Sequence, residues 1–255
     1  MTNLDTLIAE TVTLLRAANH AIALTGAGIS TPSGIPDFRS PDSGIWSQTT
    51  DPMEVASIYA FKHWPQRFYD WLRPLATMIL EAYPNAAHLA LAKLEQRGLL
   101  KSIITQNIDL LHTKAGSQKV YEVHGHFRQV TCTSCFAQFP AEQYLPEFLE
   151  TGEVPMCPMC GGILKPDVIL YGEMLPISVL NQAQLQTRIC DLMLVIGSSL
   201  EVAPVGDFPL LAKQSGAKVV MINLEETCLD HIADIIIRAD VVDVLPRLAE
   251  QLVPW

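Results

Sequence analysis

The sequence predicts an α/β fold, a parallel sheet covered on both faces by helices, with a smaller module that holds paired cysteines. Three observations carry this. Short apolar runs recur along the chain, separated by helix-like segments, which is how strands buried on both faces read. A glycine-containing stretch, Leu24-Thr-Gly-Ala-Gly-Ile-Ser-Thr-Pro-Ser-Gly-Ile-Pro-Asp-Phe-Arg-Ser40, leaves the first of those runs. Two C-x-x-C pairs, Cys132/Cys135 and Cys157/Cys160, sit in the middle of the chain.

Taken in order, Leu4, Leu7, Ile8, Leu14, Leu15 and Ala18 mark one face of an opening helix. Ala21–Leu24 reads as a buried strand. After it, Gly26 and Gly28 are expected to turn the backbone tightly and to present N–H groups to a phosphate. Thr31 stands where a dinucleotide fingerprint has its third glycine and Pro32 interrupts any long helix, so a plain glycine turn stays open at this point. Beyond the turn, Arg39 could neutralise a pyrophosphate and Phe38 could cover a reactive sugar carbon. From Pro41 to about Pro84 the chain holds eight of its eighteen aromatics, including Trp46, Tyr59, Trp64, Tyr69 and Trp71, as the core of a small helical module would. Leu89, Leu91 and Leu94 belong to a helix ending at Gly98. Ser102–Thr105 is the next strand, followed by candidates at Val120–Val123, Val168–Tyr171, Leu192–Ile196, Lys218–Ile222 and Ile235–Ile237.

Composition narrows the function. The 255 residues are 49% hydrophobic and 17% charged, which fits a compact chain and not a disordered one. A net charge of −10 argues against direct nucleic-acid binding and favours basic partners such as lysine-rich peptides. No apolar run is long enough for a membrane span, and no signal peptide is expected, so a cytoplasmic protein, by default a monomer, is anticipated. Cys132, Cys135, Cys157 and Cys160 can close a tetrahedral shell of four thiolates around one structural zinc ion. Cys190 and Cys228 read as small buried hydrophobes.

Polar groups stand at several strand ends, where open α/β sheets bind ligands. They are Thr105-Gln-Asn-Ile-Asp109, His124-Gly125, Gly197-Ser198-Ser199 and Asn223. One such end is commonly a helix cap, but four of matching chemistry suggest a phosphate and ribose site. Among seven histidines His124 is the best candidate base, and spacing leaves His126 open as a competitor. His112 fits a packing role after Asp109, while His20, His63, His88 and His231 have no supporting neighbours in the sequence.

Together, Gly26-Ala-Gly-Ile-Ser30, Pro36-Asp-Phe-Arg-Ser40, Thr105–Asp109, His124-Gly125, the paired C-x-x-C motifs and Gly197-Ser-Ser-Leu200 resemble the sirtuins, bacterial-type NAD-dependent protein deacylases. The resemblance runs from about residue 20 to 245. It implies a Rossmann-like NAD domain formed by residues 1–40, 85–125 and 166–255. It also implies a small domain made of the helical module, 41–84, and a zinc ribbon, 126–165. By matching position, Ala27, Ile35, Gln106, Ile108 and Asp109 would surround the nicotinamide and its ribose. Arg39, Ser198 and Ser199 would lie along the phosphates and adenosine, with Gly197, Asn223, Asp240 and Val241 towards the adenine side. His124 would be the general base and Asn107 would position ribose and water. Val168 and Ile169 would pair with an acetyl-lysine peptide by strand addition.

In the family's scheme the acyl oxygen attacks the ribose carbon as nicotinamide leaves, and a ribose hydroxyl then loses a proton. A histidine whose pKa lies near working pH suits that second step. The resemblance therefore implies a transferase that yields nicotinamide, O-acetyl-ADP-ribose and free lysine. The branch that removes acidic acyl groups carries a Tyr and an Arg three residues apart. Here Tyr69 is followed at that spacing by Leu72, with Arg73 one residue later, so a neutral group such as acetyl is expected. Deacylation of longer or acidic groups, protein mono-ADP-ribosyl transfer, and a non-catalytic zinc-ribbon interaction protein are the alternatives. A hydride-transferring dehydrogenase is weaker, because it should not release nicotinamide.

Overall fold

The computed structural model describes residues 3–37 and 51–253, so Phe38, Arg39 and Trp46 lie outside the described residues. Nine strands are described: β1 Ala21–Thr25, β2 Ser102–Thr105, β3 Val120–Glu122, β4 Gly125–Cys132, β5 Gln138–Pro140, β6 Leu164–Val168, β7 Leu192–Ile196, β8 Lys218–Ile222 and β9 Ile235–Ile237. Six form one sheet in the order β3-β2-β1-β7-β8-β9, every pair parallel. In β1, Ala21 and Ala23 face one side and Ile22 and Leu24 the other, and all four are fully buried. Helices α1 (Asn3–Ala17), α5 (Ala86–Gln96) and α10 (Val241–Leu252) cover the alanine side, where small residues let them approach closely. Helices α8 (Ile177–Ile189) and α9 (Phe208–Gln214) cover the other through Ala183, Phe208 and Ala212. Both faces are closed, so each strand reads as an unbroken apolar run.

Chain order reverses between β1 and β7, which opens a crevice at the carboxyl ends of the strands. Two smaller pieces flank it. The helical piece holds α2 (Pro52–Val55), α3 (Ile58–His63) and α4 (Pro65–Glu81). Phe61, Phe68 and Tyr69 form its aromatic core, whereas Tyr59 and Trp64 are exposed, so only part of the expected aromatic cluster is core. The second piece is an antiparallel sheet, β5-β4-β6, with α7 (Leu145–Thr151) packed beside it.

One strand assignment is corrected. Val168–Tyr171 is not a strand of the parallel sheet: Val168 ends β6, which pairs antiparallel with β4. Val168 and Leu170 are buried in a core shared with Phe61, Phe68, Phe127 and Phe148, whereas Ile169 is half-buried and Tyr171 is exposed. The Ile169 N–H donates to His124 O at 2.9 Å, and the Tyr171 N–H to Ala56 O at 2.9 Å. Strand β6 also straddles the 165/166 boundary expected between the domains. Among the described residues no helix is long and apolar enough to cross a membrane.

Candidate active site

The carboxyl ends of the large sheet converge on a cleft of about 930 Å³. The turns after β1 and β7 meet backbone to backbone. A Cβ on Gly28 would lie 2.8 Å from Gly197 Cα, and one on Gly26 2.8 Å from Gly197 O. Glycine is therefore required for close approach. The turn is expected to expose N–H groups to a phosphate, and those of the two glycines themselves are engaged within the protein. The Gly26 N–H donates to Ile196 O (3.1 Å) and the Gly28 N–H to Gly197 O (2.8 Å). Both glycines and Ala27 still line the cleft, as do Gly197, buried Ser198 and exposed Ser199 across from them.

After β2, Gln106, Asn107 and Ile108 reach the cleft wall. Gln106 Nε2 donates to Ser198 Oγ at 2.9 Å, tying the two strand ends together. Asn107 Nδ2 donates to Gly26 O (3.1 Å) and to Ser30 Oγ (3.0 Å). A backbone carbonyl only accepts, so the amide nitrogen must lie there and the carboxamide oxygen turns away from these partners. Ser30, buried and given no role by sequence reasoning, donates in turn to Asp109 at 2.6 Å. Burial pushes the Asp109 carboxyl above the ordinary carboxylate range, although Ser30 and the Leu111 N–H oppose that. Asp109 and Ile35 line a small side cavity shared with Ala27, Asn107 and Ile108 rather than the main cleft.

His124 follows β3, and Gly125 beyond it has φ +80°; a Cβ there would meet Asp167 O at 2.0 Å, so only glycine fits. His124 Nδ1 lies 3.0 Å from Gln106 O. The carbonyl accepts, so Nδ1 carries the proton and Nε2 keeps its lone pair. Nε2 is buried and has no hydrogen-bond partner among the described residues, and the ring lines the cleft. Burial holds the imidazole below the ordinary histidine value of 6.5, partly offset by the Gln106 carbonyl. His126, the competitor left open by spacing, lies on β4 off the cleft wall.

Asn223, after β8, and Asp240 and Val241, where α10 begins, close the far end of the cleft. Asp240 accepts from the Val242 N–H at 3.1 Å, capping that helix. At the other end Val168, Ile169 and Leu170 face Trp71, Leu72 and Leu75 of α4, making an apolar wall. Sequence reasoning missed Leu72 and Leu75, whose i, i+3 spacing on α4 was the available signal. Of the backbone groups that strand addition would use, the Ile169 N–H is bonded to His124 O and Val168 O accepts from Lys165 Nζ at 2.7 Å.

The Tyr69 and Arg73 side chains stand outside this wall. The Tyr69 hydroxyl donates to Leu164 O. Arg73 donates to Leu149 O (2.8 Å, from Nε) and Glu150 O (2.7 Å), capping the carboxyl end of α7.

The four ribbon cysteines place their sulfurs within 4.8 Å of one another, with Cys132–Cys160 at 3.5 Å and Cys135–Cys157 at 3.7 Å. Zinc–sulfur bonds of about 2.3 Å give a tetrahedral edge of about 3.8 Å, so the donor set fits one zinc ion. N–H groups of Ser134 and Gly162 point at Cys132 and Cys160 sulfurs, each at 3.4 Å, as they would toward thiolates. Cys190 is buried as expected; Cys228 is exposed, which corrects the expectation for it.

Known proteins agree with this geometry. The model of the Sir2 family matches residues 26–204. An NAD-dependent protein deacetylase of Sulfurisphaera tokodaii is 44% identical over 94% of this chain and 93% of its own length. One from Geobacillus kaustophilus is 43% identical over 93% and 96%. A solved structure described as "Structural Basis for the Mechanism and Regulation of Sir2 Enzymes" superposes with TM-score 0.91 at 40% identity, covering 97% of this chain and 98% of that one. Another, "Sir2-p53 peptide-NAD+", gives 0.87 at 40% identity over 96% and 98%. With identity above 40% along nearly its whole length, this chain belongs to the Sir2 family.

Proposed function

We propose that this protein is an NAD-dependent protein lysine deacylase that prefers acetyl and other neutral acyl groups. The observation that carries this reading is His124, with its Nδ1 proton committed to Gln106 O and its Nε2 lone pair buried, without a partner among the described residues, in a ring that lines the cleft. NAD bound there would supply the ribose carbon that accepts the acyl oxygen as nicotinamide leaves. Asn107, its amide nitrogen committed to Gly26 O and Ser30 Oγ, keeps its carboxamide oxygen for orienting ribose and water. Ala27, Ile35, Ile108 and Asp109 form the nicotinamide end. Gln106, Ser198 and Ser199, with Arg39 and Phe38 beyond the described residues, serve the ribose and phosphates. Gly197, Asn223, Asp240 and Val241 take the adenosine. Val168 and Ile169 form the peptide wall, with apolar Trp71, Leu72 and Leu75 around the acyl group and excluding water. The cleft then lies between the large domain built on the parallel sheet and the two smaller pieces, with β6 belonging to the smaller sheet. The expected substrate is an acetylated cytoplasmic protein met by a monomer, in a compartment that keeps the zinc thiolates reduced.

Tyr69 and Arg73 are both bonded to backbone carbonyls, so no cation from that pair meets an acyl carboxylate. Acetyl-lysine peptide should therefore turn over at least about tenfold faster than the succinyl form, the charge-assisted bond to a carboxylate being worth ~1.5–3 kcal/mol where present. The measurement is nicotinamide release with each peptide and with none, alongside mass spectrometry of products. A succinyl preference overturns the acyl assignment, and ADP-ribose appearing on protein without deacetylated peptide overturns the deacylase reading.

The pH profile follows from the same ring. Neutral His124 is the active form, and its pKa is depressed, so kcat/KM should stay high at neutral pH. It should fall only as pH drops through a midpoint below the ordinary histidine value, ~6.5. An acid limb centred above ~7 would mean that another group is the base.

A further inference from the structure

Buried polar atoms that the site above does not use gather beneath the Gln106–Asp109 loop. His112, in the short helix α6 (Leu111–Lys114), and His88 in α5 are both buried, their rings edge to face at 4.9 Å. His112 Nε2 lies 2.9 Å from Thr25 Oγ1, and Thr25 Oγ1 lies 2.9 Å from Thr105 Oγ1. Thr105 Oγ1 accepts the Asn107 backbone N–H at 3.1 Å. Thr25 and Thr105 are the last residues of β1 and β2 and are paired in register, which is why their hydroxyls meet.

The end of this chain of bonds is informative. The Asn107 N–H and the Gln106 C=O belong to one peptide unit, which is rigid and planar. Its N–H is held by Thr105, and its carbonyl, on the opposite side, accepts from His124 Nδ1. Tilting that plane would turn the His124 ring and the Asn107 side chain together. We propose that Thr25, Thr105 and His112 form a buried positioning relay that fixes this one peptide plane and so aims His124 Nε2 at the cleft. All three are positioning residues. None lines the cleft, and each acts through the Gln106–Asn107 peptide.

The kinetic consequence rests on the deacylase reading; the structural one does not. Thr25→Val keeps shape and removes the hydroxyl that joins ring to strand, while Thr25→Ser keeps the hydroxyl and loses only a methyl. For Thr25→Val, kcat for acetyl peptide should fall about tenfold with KM for NAD within about twofold, as expected when geometry and not ground-state binding is lost. The Asn107 amide should exchange its hydrogen about tenfold faster in the ligand-free protein, and Thr25→Ser should restore both. If the valine variant does not fold, Thr105→Val with Thr105→Ser repeats the test at a strand position suited to valine. Asn107 exchange and kcat both within about twofold of wild type would overturn the relay, as would a serine variant losing as much as valine. A wild type inactive on acetyl peptide would defeat the functional reading instead, and the exchange measurement would still decide the relay.

Discussion

His124→Ala is expected to lose deacetylation by about 10²–10⁴-fold, the usual worth of a positioned base, while its affinity for NAD changes little. The reason lies in how the ring is held. Among the described residues its one ring hydrogen bond runs from Nδ1 to Gln106 O, a carbonyl whose own peptide is fixed on its other side by Thr105. Removing the imidazole therefore leaves that peptide anchored, and the turns after β1 and β7 stay locked through Gly28 and Gly197. What disappears is a buried lone pair at the cleft wall. Equilibrium NAD binding, thermal unfolding and product formation should be measured on one preparation. Near-normal turnover would remove His124 from the chemistry. Loss of NAD binding in step with turnover would make the ring a structural support of the cleft.

The large sheet was legible because its strands are buried on both faces. Ala21–Leu24, Leu192–Ile196 and Lys218–Ile222 announce themselves as apolar runs, and polar residues mark where each run meets the cleft. Val168–Tyr171 has the same local pattern and a different fate, because its partners, His124 and Ala56, are long-range and leave no periodic trace. The glycine turn follows β1 where the sequence puts it, but the N–H groups of the two glycines are bonded within the protein. Sequence shows that the backbone can approach something, but not that the first thing approached is Gly197. Tyr69 and Arg73 share a helix face by spacing, yet carbonyls of Leu164, Leu149 and Glu150 capture them first. His88 and His112 lie twenty-four residues apart, and only the fold shows that their rings touch.

Stripping the metal from the four-cysteine site is expected to damage the whole cleft. The core of the small sheet consists of Val130, Cys132, Ala141, Cys157 and Leu164, so two of its five buried residues are themselves metal ligands. Without the ion, four thiols remain in a module with little apolar surface to hold it, and structural zinc is worth ~10 kcal/mol or more in comparable small units. The disturbance has three routes outward. Leu164 O accepts from Tyr69, Arg73 of α4 caps α7, and Gly125 and Val168 pair β4 with β6 at the base of His124. Helix α4 carries Leu72 and Leu75, so the acyl wall and the catalytic base are both tied to the ribbon. Transmission of even ~3 kcal/mol would lower Tm by roughly 6–12 °C in a chain of this size. Chelation, or Cys160→Ser, should therefore remove one zinc per chain, lower Tm by about that amount and abolish turnover, with zinc restoring the chelated enzyme. The parallel sheet has its own core on both faces and should keep its helical and strand signal after the ribbon opens. A metal-free preparation that melts and turns over like the starting material would show that the four sulfurs hold their arrangement without an ion, and that the ribbon supports neither α4 nor His124.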